Sequence, residues 1–117
     1  EMIVWGGGNN AQSFGDGGRW NAGTNQWASM TTTGAPRAHT RGRGVWGGHE
    51  LLVWTGVVSG SPVSEGGRYD PFTNTWAPIS TVNAPEGHDY PAAVWTCTEL
   101  LIWGGDFSDN LGGAYTP

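Results

Sequence analysis

Glu50-Leu51-Leu52-Val53-Trp54 decides the fold, because the chain carries the same phrase three times. Glu1-Met2-Ile3-Val4-Trp5 stands 49 residues before it, and Glu99-Leu100-Leu101-Ile102-Trp103 stands 49 residues after it. The flanks keep the same step. Gly17-Gly18-Arg19-Trp20 returns as Gly66-Gly67-Arg68-Tyr69, Thr24-Asn25-Gln26-Trp27 as Thr73-Asn74-Thr75-Trp76, and Ala35-Pro36 with His39 as Ala84-Pro85 with His88. Val45-Trp46 returns as Val94-Trp95. In the third copy Gly112-Gly113-Ala114-Tyr115 arrives three residues early, so the loop before it is shorter. A period near 50 residues marks a stack of like units, none of which buries its apolar face alone.

Each unit reads as four short strands. In the central one, Arg43 to Trp46 is the first strand, and Gly47-Gly48-His49 is a tight turn of the kind paired glycines favour. Glu50 to Thr55 is the second strand, apolar and β-branched enough to be buried on both faces. A loop over Val57 to Ser64 leads to the third strand, Glu65 to Asp70. Pro71-Phe72-Thr73-Asn74 forms a turn, since Pro presets φ and Asn tolerates turn geometry. Thr75 to Pro78 is the fourth strand, and Ile79 to Tyr90 connects to the next unit.

Four antiparallel strands per unit fit one blade of a β-propeller. The blade resembles a kelch repeat: a hydrophobic run ending in a diglycine, then a Tyr, then a Trp six or seven residues on. Ile3-Val4-Trp5-Gly6-Gly7 and Leu101-Ile102-Trp103-Gly104-Gly105 match the run, and Tyr69 with Trp76 and Trp20 with Trp27 match the aromatic pair. Thr55-Gly56 replaces the central diglycine, Trp20 stands for the Tyr, and Asn21-Ala22-Gly23 replaces the Asp70-Pro71-Phe72 turn. The resemblance implies an all-β, kelch-like propeller segment of about 2.5 four-stranded blades over three blade positions. Residues 1–33 would supply the last three strands of one blade, 34–78 a whole blade, and 79–117 the first three strands of another. Trp5, Trp20, Trp27, Trp46, Trp54, Tyr69, Trp76, Trp95 and Trp103 are expected to pack the blades against one another.

Composition agrees with a turn-rich β chain. Twenty-one Gly and seven Pro interrupt nearly every helical window, and eight Trp argue against disorder. No apolar run reaches the roughly 18 residues of a membrane-spanning helix. The net charge is −5, with five basic residues, all Arg. Neither nucleic acid nor membrane is an expected partner, since nucleic-acid binding usually needs a basic face. The single cysteine, Cys97, forms no internal disulfide, and no Cys/His metal spacing exists.

The longer loops, between second and third strands and between units, fall at one end of the strands, where binding usually sits. Arg37, His39, Arg41 and Arg43 cluster there and form the candidate ligand site, the guanidinium fork being suited to carboxylate or phosphate. The alternative is local pairing with acidic loops, Arg37 with Glu86 for instance. His39 and His88 recur in register, which suits structure better than catalysis. Arg19 and Arg68 also recur, and a salt bridge between units or a cation–π contact with a Trp would explain them. Asp106, Asp109 and Asn110 are oxygen-rich but lack the pattern of a calcium hand. No catalytic residue, metal or cofactor is assigned.

Four blades of this period would need about 196 residues, more than the 117 here, so one chain does not close a propeller. The expected function is a non-enzymatic scaffold or protein-interaction module. Its expected partners are other copies of itself, as a dimer closing a six-bladed ring, or other blades of a parent propeller. A carbohydrate-binding or sugar-processing kelch-like propeller is the alternative, as Trp, Asn and acidic loops suit glycans.

Overall fold

The computed structural model describes residues 1–117 apart from Asn10, Thr55 and 106–109. The described chain is all-β, with no helix. Strands β1 (Met2–Trp5), β2 (Gly17–Asn21) and β3 (Gln26–Ser29) form a first sheet. Strands β4 (Arg43–Trp46) and β5 (Leu51–Trp54) begin the middle sheet. A two-stranded hairpin, β6 (Val57–Val58) and β7 (Ser61–Pro62), intervenes before β8 (Gly66–Asp70) and β9 (Thr75–Pro78) complete it in the order β4-β5-β8-β9. Strands β10 (Ala92–Trp95), β11 (Leu100–Trp103) and β12 (Gly112–Tyr115) form a third sheet. Every pairing is antiparallel, and register repeats between units: Trp20 lies opposite Trp27 as Tyr69 lies opposite Trp76.

The middle sheet is packed on both faces, and β5 shows why. All four of its residues are buried. Because side chains alternate across a strand, Leu51 and Val53 point one way and Leu52 and Trp54 the other. Leu51 and Val53 join Tyr69, Trp76 and Met30, with Ile3 and Trp5 of the first sheet and Ala35 of the connection to β4 packed against them. Leu52 and Trp54 join Ile79, Leu100 and Ile102, with Val45, Ala93, Trp95 and Tyr115 around them.

The turn before β9 is fixed by two side chains. The Asp70 carboxylate accepts from the Phe72 N–H at 2.7 Å and from the Thr73 hydroxyl at 2.9 Å. These bonds, the Phe72 one foremost, hold its carboxyl below the usual range for Asp. Asn74 takes a left-handed φ of 55°, and its amide oxygen accepts from the Tyr69 hydroxyl at 2.7 Å and the Thr31 N–H at 3.1 Å. Asn21 and Asn25 rebuild the turn in the first unit, Asn21 accepting from Gly23 N–H at 2.8 Å and Asn25 lying at φ 54°.

The stretch read as a plain loop, Val57 to Ser64, instead holds the β6–β7 hairpin. Ser59 and Gly60 both have positive φ, 50° and 85°, as a tight hairpin turn requires. Thr40 and Val57 then exchange backbone hydrogen bonds at 2.8 and 3.1 Å, tying the hairpin to the connection that enters the middle sheet. Two residues per strand leave too little alternation for the pattern to show in sequence.

The aromatic positions divide in an orderly way. Trp5, Trp54, Tyr69, Trp76 and Trp95 pack in the two inter-sheet clusters. Trp20 is half-buried. Trp27, Trp46 and Trp103 are 58%, 48% and 59% exposed, and so do not pack as expected within this chain. Their buried counterparts show the reason. Trp76, one repeat after Trp27, is covered by the first sheet, and Trp54, one repeat before Trp103, by the third. Trp95 packs toward the middle sheet, whereas Trp46 looks toward a first sheet that has no counterpart of β4 among the described residues.

Positive φ at two repeated positions has energetic weight. Gly56 lies at φ 137°, and a Cβ there would sit 2.5 Å from Cδ2 of His39. Gly7, its counterpart at φ 108°, has open space around it. Substituting Gly56 by Ala should therefore lower stability by about 2–4 kcal/mol, backbone strain plus overpacking. Gly7→Ala should cost less, the strain alone; equal losses in urea denaturation would contradict this. Cys97 occupies the turn position of Gly48 at φ 83°. Cys97→Gly should raise stability by about 1 kcal/mol in the same assay.

Candidate functional site

The basic cluster sits where the connection from the first unit enters β4. His39 is buried, and its Nδ1 lies 2.8 Å from the Arg37 carbonyl oxygen. That contact folds the connection back on itself. His39, Arg41 and Arg43 line one wall of a cleft of about 320 Å³ between the first and middle sheets. Ile3, Trp5, Leu51 and Val53 supply its apolar surface. Arg37 does not line it.

Each cation is already engaged. Arg37 pairs with Glu65 at 2.8 Å, so its partner is Glu65 and not the Glu86 considered from the alignment. Hydrogen bonding to that carboxylate also raises the Arg37 pKa. Arg41 Nη1 donates to Asp89 Oδ2 at 2.8 Å. Asp89 is a nearly inaccessible carboxylate, 4% exposed, whereas the Arg41 side chain is 48% exposed. Arg43 Nε donates to the Pro91 carbonyl at 2.6 Å. Both guanidinium groups stand over the Tyr90 ring, at 5.4 and 5.9 Å. Such contacts are worth about 0.5–2 kcal/mol.

The cluster therefore joins consecutive units. Arg41 and Arg43 reach from the entry of the middle sheet to the entry of the third. Sequence reasoning singled out the cations but did not pair them with Asp89, Tyr90 and Pro91, which receive them. The available signal was the repeat itself: residues 89–91 are the counterparts of 40–42, so equivalent entry segments meet at neighbouring sheets.

The other recurring arginines are strapped within their own sheets. Arg19 pairs with Glu1 at 3.0 Å and Arg68 with Glu50 at 3.7 Å, opposite charges on neighbouring strands. Arg19 also reaches the Tyr69 hydroxyl of the middle sheet at 3.5 Å. The Arg19 hydrogen bond holds the Glu1 carboxyl below its ordinary range. Cys97 is exposed in the β10–β11 turn, at the opposite end of β10 from His88. No three His, Cys, Asp or Glu side chains gather as a metal cluster among the described residues. Asp106 and Asp109 of the oxygen-rich loop lie outside those residues.

No protein-family model matches the chain, and no curated protein matches it.

Removing Arg41 would strand the Asp89 carboxylate in a buried setting. Arg41→Ala should cost about 2–4 kcal/mol of stability. Adding Asp89→Asn should recover at least half of that, because a neutral amide needs no cation. Chemical denaturation of the two singles and the double checks this; a purely additive double would contradict the pairing.

Proposed function

We propose that the chain is a kelch-like β-propeller segment whose role is non-enzymatic: a scaffold that assembles with further copies of itself, closing as a six-bladed dimeric ring. The observation carrying this reading is that both outward faces of the stack duplicate faces buried inside it. Met2, Val4 and Trp27 on the first sheet are exposed, and they are the repeat counterparts of Leu51, Val53 and Trp76, which the first sheet covers. On the third sheet Trp103 is exposed, and its counterparts Trp5 and Trp54 are each covered by the following sheet. The third sheet's outer face thus has the chemistry that the first sheet's outer face requires.

The pairing is head-to-tail. Trp27 of one copy would meet Trp103 of the next, as Trp76 meets Trp5 with centroids 4.6 Å apart. Heterologous contacts of this kind close into rings when the rotation allows and otherwise extend into filaments. Three blade positions per copy, with two copies, reach the six positions of a kelch-like ring. Contiguous apolar patches of this sort mark association sites. The Arg41–Asp89 and Arg43–Pro91 contacts support a joint role, fixing the spacing between successive sheets.

Native mass spectrometry and light scattering test the reading. The expected species is a dimer of the 12.4 kDa chain. Trp103→Arg should shift it to monomer while leaving the β signature in circular dichroism. A wild-type monomer throughout the micromolar range would end the proposal, and so would open filaments without a dimer.

A further inference from the structure

Two equivalent hairpins flank the junction of the first and middle units. In the first, Gly8 and Ser13 form an antiparallel bridge. In the second, β6–β7, Val57 pairs with Pro62. Gly8 and Ser13 stand 49 residues before Val57 and Pro62, so this is one pairing repeated in successive units. The Asn9 amide oxygen braces the first tip, accepting from the N–H groups of Ala11 and Gln12 at 2.8 and 2.9 Å. Left-handed Ser59 and Gly60 turn the second. Thr40 joins the two hairpins. Its backbone bonds Val57, and its side chain lies so close to Gly8 that a Cβ there would collide with Cγ2.

Between the hairpins is an open cleft of about 240 Å³. Asn9, Gln12, Ser13, Thr40 and Ser59 supply its polar lining, and no ionisable side chain belongs to it. The hydroxyls of Ser13, Thr40 and Ser59 and the amide of Gln12 bond no group among the described residues. Val57, which is buried, adds apolar surface. Packing does not require this polar set. Residues that hold sheets together recur, as Trp5 and Trp54 do. The counterparts of Asn9, Ser13 and Thr40 are instead Val58, Pro62 and Asp89, and the second hairpin closes without them.

We propose that this cleft binds one pyranose ring of an uncharged glycan. Each hydroxyl of a sugar both donates and accepts, and neutral amide and hydroxyl side chains match both roles. The C–H groups of the ring suit the Val57 surface. With no charge on its walls, the cleft would strip water from an ionic ligand without offering an ion pair in return. Its volume is below the roughly 300–1,000 Å³ of pockets that enclose drug-sized ligands, which limits the occupant to a single ring. Every lining group comes from one chain, so the site does not depend on assembly.

The probes are the methyl glycosides of glucose, galactose and mannose. Each is titrated into the isotope-labelled chain and followed by NMR. Saturable shifts are expected with at least one of the three, centred on Ser13, Thr40, Ser59 and Gly60. Gln12→Ala and Thr40→Val should each weaken that binding about three- to tenfold, the loss of one hydrogen bond apiece. Gln12 is exposed, so its variant should keep the wild-type urea midpoint. Glucuronate should bind no more tightly than the neutral glycosides. No saturable shift from any of the three, shifts centred elsewhere, tighter binding of glucuronate, or wild-type affinity in both variants would overturn the site.

Discussion

Trp76 lies 4.6 Å from Trp5, ring centroid to centroid, and every level of the structure refers back to that contact. It brings an edge strand of the middle sheet onto the face of the first. Its N–H bonds the Thr31 carbonyl, which holds the chain as it leaves β3. With Pro36 it leaves no room for a side chain at Gly67, so that glycine is a packing requirement of its neighbours. The adjacent Asn74 bonds Tyr69 and Thr31 together. A ring of this size buries of order 200 Å².

Charge plays a supporting part. The chain has five Arg, and among the described residues four of them have a carboxylate partner: Arg19 with Glu1, Arg37 with Glu65, Arg41 with Asp89 and Arg68 with Glu50. Arg43 goes to a carbonyl. Surface pairs contribute little, so the Glu1 and Glu65 pairs mainly align strands and loops. Asp89 differs because its carboxylate is buried, and it makes the junction between the second and third units sensitive to loss of one cation.

Much of this was legible in the sequence because the repeat is strict. The 49-residue step put Arg43–Trp46, Thr75–Pro78 and the turn at Pro71 to Asn74 in place, and all three stand where the spacing put them. The burial of β5 on both faces was readable from four consecutive apolar residues. The β6–β7 hairpin was not, since its turn depends on Ser59 adopting a positive φ that serine rarely takes. Nor were the receivers of Arg41 and Arg43. Asp89, Tyr90 and Pro91 differ from their counterparts Thr40, Arg41 and Gly42, so the repeat located the contact without showing its chemistry. The exposure of Trp27, Trp46 and Trp103 follows from neighbours, a property that identity of sequence between units does not carry.

The middle sheet has a neighbour on each face and the outer sheets have one each. In a stack of this kind, stability is close to a sum of terms for each unit and each shared interface. Opening therefore begins at the outer sheets, each of which gives up a single interface. The middle sheet must lose two. Amide hydrogens of β5 and β8 would then exchange with solvent only on global unfolding, while those of β1 to β3 and β10 to β12 exchange through partial opening. Covering the outer faces would erase that gradient, so the slowest exchange rates record how many interfaces a sheet possesses.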